Sequence, residues 1–323
     1  MNQTLPEPEF SFVIPLYQTG EGLPKLVSTF RELWIEEPWE LILVDDGSTD
    51  GTFAQASLLT RDFPAEVTLV ELARNFGEHA AVLEGCRRAR GRFLVTLDDD
   101  LQNPVDEAVR LLRHLRDAGD AAEVVYARYE RKQHPVLRNL GSRLVNLAAT
   151  VLIGKPGDLY LSSFRALRRE LVERISSYRG PYPYLDGLIL GATRRIQTLA
   201  VRHEPRHQGQ SNYTPQKLLR LTMSILFDFS IRPLRLAGVL GVLLCLGGAL
   251  LLGTVLIEVL WFGSRQAGWP SIMGVMAIFG GTQLLMLGII GEYVGRAFLI
   301  VSGKPQSLVR TSLNCRPELS ATS

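Results

Sequence analysis

The sequence is poor in the features that mark several large protein classes. Three cysteines in 323 residues, Cys86, Cys245 and Cys315, are too few and too scattered for a disulfide framework or a cysteine metal site. A formal net charge of +2 gives no field suited to a nucleic-acid backbone, so no nucleic-acid partner is expected. Met1 to Glu9 is polar and acidic without an apolar stretch, which argues against a secretory signal and predicts a cytoplasmic soluble part. Neither G-x-G-x-x-G nor G-x-x-x-x-G-K follows any strand-like run, so a dinucleotide fingerprint and a phosphate-cradling loop are both missing. No internal repeat is present, and the Ser/Thr-containing stretch after Arg310 reads as a disordered tail.

Charge is also missing from two long runs. Leu236 to Ile257 is uncharged and almost wholly apolar, and Ser271 to Gly291 is interrupted only by Thr282 and Gln283. Each is long enough to cross a hydrocarbon core of about 30 Å as a helix, whereas a buried core helix rarely runs so far without charge. A transmembrane hairpin follows, with spans at about 236–260 and 270–293. The join Trp261 to Pro270 carries only Arg265, while Arg232 and Arg235 precede the first span and Arg296, Lys304, Arg310 and Arg316 follow the second. That asymmetry puts both termini in the cytoplasm. Just upstream, Pro215 to Ile231 has apolar residues at helical spacing and a basic start, Lys217 and Arg220. It reads as an amphipathic helix on the bilayer surface, or alternatively as one packed on its own domain.

The first half of the chain alternates strand-like and helix-like runs. Phe10 to Tyr17 precedes a helical stretch from about Leu23 to Trp34, and Glu40 to Val44 ends in Asp45-Asp46-Gly47-Ser48-Thr49-Asp50-Gly51-Thr52, where Asp50 or Thr49 caps the next helix. Phe93 to Leu97 ends in Asp98-Asp99-Asp100, with Asn103 as helix N-cap and Pro104 at the first helical position. The pattern predicts an α/β domain whose mostly parallel sheet has one ligand crevice along its C-terminal edge. Three adjacent carboxylates repel one another unless a cation offsets them, and Asp98 with Asp100 suits a hard divalent ion. A solvated acidic turn capping a helix accounts for the same residues.

Four ordered motifs weigh on that choice. Val13-Ile14-Pro15-Leu16-Tyr17, Val44 to Asp50, Arg74-Asn75-Phe76-Gly77 and Leu97 to Pro104 resemble the family 2 glycosyltransferases. More narrowly, the chain from about Phe10 to Pro305 resembles the polyprenyl-phosphate glycosyltransferases, a group with dolichyl-phosphate mannose synthases, bactoprenol glucosyltransferases and undecaprenyl-phosphate formamidoarabinose transferases. The resemblance implies a type A glycosyltransferase fold over residues 1–214, the interfacial helix at 215–232, the hairpin at 233–299 and a cytoplasmic tail at 300–323. It also implies a bacterial inner-membrane enzyme, multi-pass and homo-oligomeric, a tetramer by analogy with relatives.

By the same resemblance, a sugar passes from a nucleotide donor, uridine-linked, to undecaprenyl phosphate in one inverting displacement. Asp98, Asp100 and Gln102 are assigned to Mg2+ or Mn2+ and the diphosphate, and Pro15, Tyr17, Asp45 and Asp46 to the nucleotide, with Asp98 belonging to both sets. Asp99 or Asp46 orients the sugar. Arg128, Arg138, Ser142 and Arg206 fall where the family places groups that hold the lipid phosphate. Asn212 replaces a lysine common in relatives, and Asp158 stands at an unusual spacing before Ser163-Phe164-Arg165, which leaves its role open. A phosphate monoester carries about −1.5 to −2 charge at neutral pH, so this nucleophile needs no general base. Tyr178 to Asp186, rich in aromatics and proline, is a candidate for reading the sugar or a packing turn. The competing readings are a processive polysaccharide synthase, whose Q-x-x-R-W motif is missing, and a non-catalytic membrane scaffold.

Overall fold

The structure, a computed structural model, describes residues 7–20, 22–32, 35–62, 67–100, 102–129, 159–180, 183–202, 232–262, 268–303 and 305–314. Contacts divide the chain into two units, residues 1–218 with 305–323 and residues 219–304.

The first unit is built on one eight-stranded sheet. In chain order its strands are β1 (Phe10–Leu16), β2 (Trp39–Asp45), β3 (Val67–Leu72), β4 (Phe93–Thr96), β5 (Val124–Tyr129), β6 (Arg165–Arg168), β7 (Ile196–Val201) and β8 (Val309–Leu313), and they lie side by side as β7-β5-β6-β4-β1-β2-β3-β8. β4, β1, β2 and β3 run parallel, as do β5 and β7, while β6 and β8 run against their neighbours.

Side chains alternate across a strand, and here both faces are covered. Phe10, Phe12, Ile14 and Leu16 of β1, with Leu41 and Leu43 of β2, join one core, to which α1 (Gly22–Glu32) and α4 (Val105–Asp117) contribute Leu26, Phe30, Leu111 and Leu115. Val13, Ile42 and Val44 point the other way. They meet α3 (Glu78–Arg88), α5 (Arg169–Ser176) and α6 (Leu185–Ala192) through Leu83, Leu171 and Ile189. α2 (Thr52–Asp62) completes the first layer, its Ala56 in the first core.

Two local expectations are corrected. α4 begins at Val105 with Pro104 in the cap position, one residue later than the sequence suggests, because Asn103 is drawn inward to accept a hydrogen bond from Tyr129 OH (3.0 Å). The start of the stretch after Arg310, expected as a disordered tail, instead belongs to β8, antiparallel to β3, while residues 315–323 lie outside the described residues. Gln306 just before it is buried, donating to the carbonyls of Tyr178 (2.9 Å) and Gly180 (2.6 Å) and accepting from Arg87 (2.6 Å). Asn314 just after it donates to the carbonyls of Thr60 and Val67, both at 3.1 Å.

The second unit contains two long helices, α7 (Arg232–Phe262, 31 residues) and α8 (Trp269–Val301, 33 residues). Gly241 and Gly248 of α7 allow Met286 and Phe279 of α8 to approach closely. Ile278–Val301 is long and apolar enough to cross a membrane, and none of it is buried within the chain; the apolar stretch found in α7 is shorter, Ala237–Gly248. The interfacial helix expected at 215–232 lies, but for Arg232, outside the described residues.

Candidate active site

Strand register sets the site. Leu16 of β1 lies opposite Asp45 of β2, and Val13 of β1 opposite Thr96 of β4, so Tyr17, Asp45–Asp46 and Asp98–Asp100 emerge at one C-terminal sheet edge. Such edges are where open α/β sheets bind ligands. The turns after β1 and β2 are stitched together. Gln18, held at φ 55°, donates its N–H to Ser48 Oγ and its side-chain amide to Thr49 Oγ1, both at 3.0 Å. The N–H groups of Thr19 and Gly20 reach Thr52 Oγ1 at 3.1 Å. Asp50 caps α2 by accepting from the Thr52 N–H (3.1 Å), which decides between Asp50 and Thr49. At Gly47, with φ 69°, a Cβ would sit 2.5 Å from the carbonyl carbon of Arg74, so the turn has room only for glycine.

Asp45 and Asp46 are both buried but do different things. Asp45 Oδ2 accepts the Ser48 N–H (3.2 Å), whereas its Oδ1 is buried with no partner. Burial raises the pKa of Asp45, with the hydrogen bonds from Ser48 opposing. Asp46 spends both oxygens on backbone donors, Phe76 N–H at 2.7 Å and Gly77 N–H at 2.8 Å, so it pins the Arg74–Gly77 loop at the start of α3. Burial pushes Asp46 up to about 6 against those two hydrogen bonds. Pro15 is half-buried in β1 and Tyr17 stands exposed at its end.

The acidic triplet is held from three sides. Ser163, just before β6, donates its hydroxyl to Asp98 Oδ2 (2.7 Å); Thr19 donates its hydroxyl to Asp99; and the Gln102 N–H reaches Asp100 Oδ1 (3.2 Å). Asp98, Asp99 and Asp100 are each half-buried. Burial, with Glu78 adding repulsion, lifts Asp98 to about 7, and burial lifts Asp99 as well. Glu78, the first residue of α3, is raised chiefly by burial, with Arg165 opposing and Asp186, Asp99 and Asp100 adding to it. Carboxylates so crowded favour a cation.

Among the described residues no three His, Cys, Asp or Glu side chains form a metal cage on their own. A small hard dication is commonly held by one or two carboxylates plus substrate phosphates rather than by a complete protein cage. Asp98, Asp100 and Gln102 offer side-chain oxygens, the donor type such an ion takes when a diphosphate supplies the remaining ligands.

Arg128 sits exposed near the end of β5, opposite Ala200 of β7, and among the described residues no hydrogen bond or ion pair engages its guanidinium. Arg138, Ser142, Asp158, Arg206 and Asn212 lie outside the described residues. Tyr184 packs edge-on against His79 (5.2 Å between rings). Asp186 turns inward to Arg165 and to Tyr126 OH (2.9 Å), so its carboxylate faces the core.

Residues 11–176, over half of the chain, match the family described as Glycosyl transferase family 2. The protein belongs to the family 2 glycosyltransferases. This glycosyltransferase is 33% identical, over 95% of its own length and 91% of the relative's, to the undecaprenyl-phosphate 4-deoxy-4-formamido-L-arabinose transferase of Pseudomonas aeruginosa. It is 31% identical, over 93% and 92%, to the transferase of the same name from Yersinia enterocolitica. Among solved structures, a mycobacterial protein at 21% identity superposes with a TM-score of 0.50 over 68% of this chain and 72% of its own, a likeness of fold. Glucosyl-3-phosphoglycerate synthase from Mycobacterium tuberculosis, solved with Mn2+, UDP-glucose and phosphoglyceric acid, gives 0.49 at 21% identity over 68% and 77%.

Ser163, Thr19 and Glu78 were not singled out by the sequence. Glu78 follows Arg74-Asn75-Phe76-Gly77 directly at a helix start, a position that gives it away once that motif is seen as part of the site. Ser163 and Thr19 carry no local signal, because their contacts span 65 and 80 residues.

Proposed function

We propose that this glycosyltransferase moves one sugar from a uridine-linked nucleotide donor to undecaprenyl phosphate, with inversion at the anomeric carbon. The observation that carries the reading is the shared sheet edge at the ends of β1, β2 and β4, where Asp45 Oδ1, an acceptor without a partner among the described residues, stands with the Asp98–Asp100 carboxylates. The names of the relatives supply the acceptor class.

Asp45 Oδ1 suits the imide N–H of the base, and Tyr17 and Pro15 flank the nucleoside. Asp98, Asp100 and Gln102 hold Mg2+ or Mn2+, which when bound neutralises charge on the departing diphosphate. Arg128, joined by Arg138, Ser142 and Arg206, holds the acceptor phosphate beside the sugar. An oxygen of that phosphate forms the new bond to the anomeric carbon as the bond to the nucleoside diphosphate breaks, and no proton need be removed. The residues bring two anions together and keep them in line, which is the main work of such a site.

The helical unit is read as a membrane hairpin of α7 and α8 that holds the domain at the cytoplasmic face of the bacterial inner membrane, with residues 215–232 along the bilayer surface. Exposed Val239, Leu243 and Leu250 on α7 and Ile278, Leu284 and Phe298 on α8 support lipid contact. Because Pro305 to Asn314 returns to the same sheet, the chain must leave and re-join one side, which supports an even number of crossings. Copies assemble as a homo-oligomer in this reading. Incubating membranes that contain the protein with undecaprenyl phosphate and a panel of nucleotide sugars, then weighing the lipid product, tests it. A lipid whose mass grows by one sugar residue is expected, and an unchanged lipid with every donor sinks the reading.

A further inference from the structure

A buried ion pair lies behind the acidic triplet. Arg165, at 2% exposure, opens β6 and pairs with Asp186, which also accepts from Tyr126 OH at 2.9 Å. Burial works against the charge on Arg165, and Asp186 and Tyr126 outweigh it. A charged pair taken out of water rarely adds net stability over apolar packing, while losing one partner costs several kcal/mol. What else the pair does is therefore a fair question.

Its contacts lead toward the crevice. Arg165 stands opposite Thr96 in the β4–β6 ladder, with its Nε 3.4 Å from Thr96 Oγ1. The Thr96 hydroxyl donates to the carbonyl of Ser163 (2.5 Å), and the Ser163 hydroxyl donates to Asp98 Oδ2 (2.7 Å). Asp186 thus reaches Asp98 through one cation, two hydroxyls and one backbone carbonyl. Ser163 occupies one oxygen of Asp98 and thereby sets the direction of the other.

We propose that Asp186 is a positioning residue: with Arg165 it fixes the β4–β6 edge from which Ser163 aims Asp98, and so governs metal and diphosphate binding without touching either. This rests on the reading of Asp98 as a metal ligand. It also removes Asp186 from the candidates for sugar contact or proton transfer, since its carboxylate is committed to Arg165 and Tyr126.

The test is a double-mutant cycle on the full chain in detergent. Mn2+ is titrated calorimetrically into protein saturated with UDP, for wild type, Ser163→Ala, Asp186→Asn and the double variant. Each single variant should weaken Mn2+ about tenfold, and the double variant should be no weaker than the worse single one, because residues acting in series are not additive. The KM for lipid acceptor should stay within about twofold. Multiplicative losses, unchanged Mn2+ binding in Asp186→Asn, or a defect confined to acceptor or sugar use overturns the positioning role. If Asp186→Asn fails to fold, Thr96→Val replaces it in the cycle, since it cuts the link to Ser163 while leaving the ion pair intact, and the same outcomes decide. A wild type that binds UDP equally well with and without Mn2+ overturns the metal-site reading itself, and the positioning role with it.

Discussion

Asp45 and Asp46 are adjacent and nearly equally buried, yet replacing each by asparagine should give opposite results. Asp46 accepts from Phe76 N–H and Gly77 N–H, and an asparagine has only one oxygen to offer, so one buried N–H would face an amide N–H. An unmet buried donor costs about 1–3 kcal/mol. Loss of the negative charge beside the start of α3 adds about 0.3–1 kcal/mol. A total of roughly 2–3 kcal/mol lowers the melting temperature of a domain this size by roughly 5–10 °C.

Asp45→Asn keeps the acceptor for Ser48 N–H, exchanges one unpartnered buried atom for another and removes a buried charge, so its stability should shift by less than about 1 kcal/mol. Its UDP affinity, however, should fall roughly 10- to 100-fold, the worth of a hydrogen bond to a charged acceptor. Thermal unfolding at pH 7.5 and UDP calorimetry on the same preparations give the comparison. Equal melting losses in the two variants, or intact UDP binding in Asp45→Asn, would refute the division of labour.

Asp100→Asn preserves size and removes charge, so sugar transfer should drop at least about 100-fold with folding intact; unchanged turnover with Mg2+ present takes Asp100 out of the site. Arg128→Ala should raise the KM for the lipid acceptor about tenfold while UDP binding holds, because only the acceptor phosphate loses a charged donor; matched losses on both substrates point to a damaged β5 instead. His79 is held down to about 4 by burial, with Asp186 pulling it up and Arg165 pushing it down. The unfolded chain therefore binds more protons between about 4 and 6.5, and His79 should make stability fall as pH drops through that window, by up to roughly 3 kcal/mol. Melting curves at pH 7 and 5 should show a smaller acid loss in His79→Gln than in wild type, and identical losses would rule the histidine out. A chain ended at Tyr213 lacks β8, so it should melt well below one in which residues 305–314 are rejoined by a linker; equal melting temperatures would mean that β8 contributes little.

The sheet and its crevice were legible because strands buried on both faces are short, apolar and rich in β-branched residues. Phe10–Leu16, Trp39–Asp45 and Phe93–Thr96 each end in the polar residues that mark the ligand edge. The long apolar helices were legible from missing charge. Contacts between distant residues were not: Ser163 to Asp98, Arg165 to Asp186 and Gln306 to Tyr178 leave no periodic trace. β8 was missed for a different reason. Val309 to Leu313 reads V-R-T-S-L, and an edge strand with one partner can be mostly polar, which in sequence looks like a loose tail. Asn103 misled for a related reason, since its cap chemistry was overridden by a tyrosine hydroxyl reaching across from β5.

β8 also bears on how the protein is made. Until residues 309–313 have been synthesised, β3 has a bare flank, and an unpaired strand flank invites pairing with other chains. Those residues leave the ribosome only after both long helices. The sheet is therefore closed last, by a segment that arrives only after α7 and α8 have been made. Any delay in its arrival would leave a nearly finished domain with one open side, so the chain between β7 and β8 sets the timing of folding.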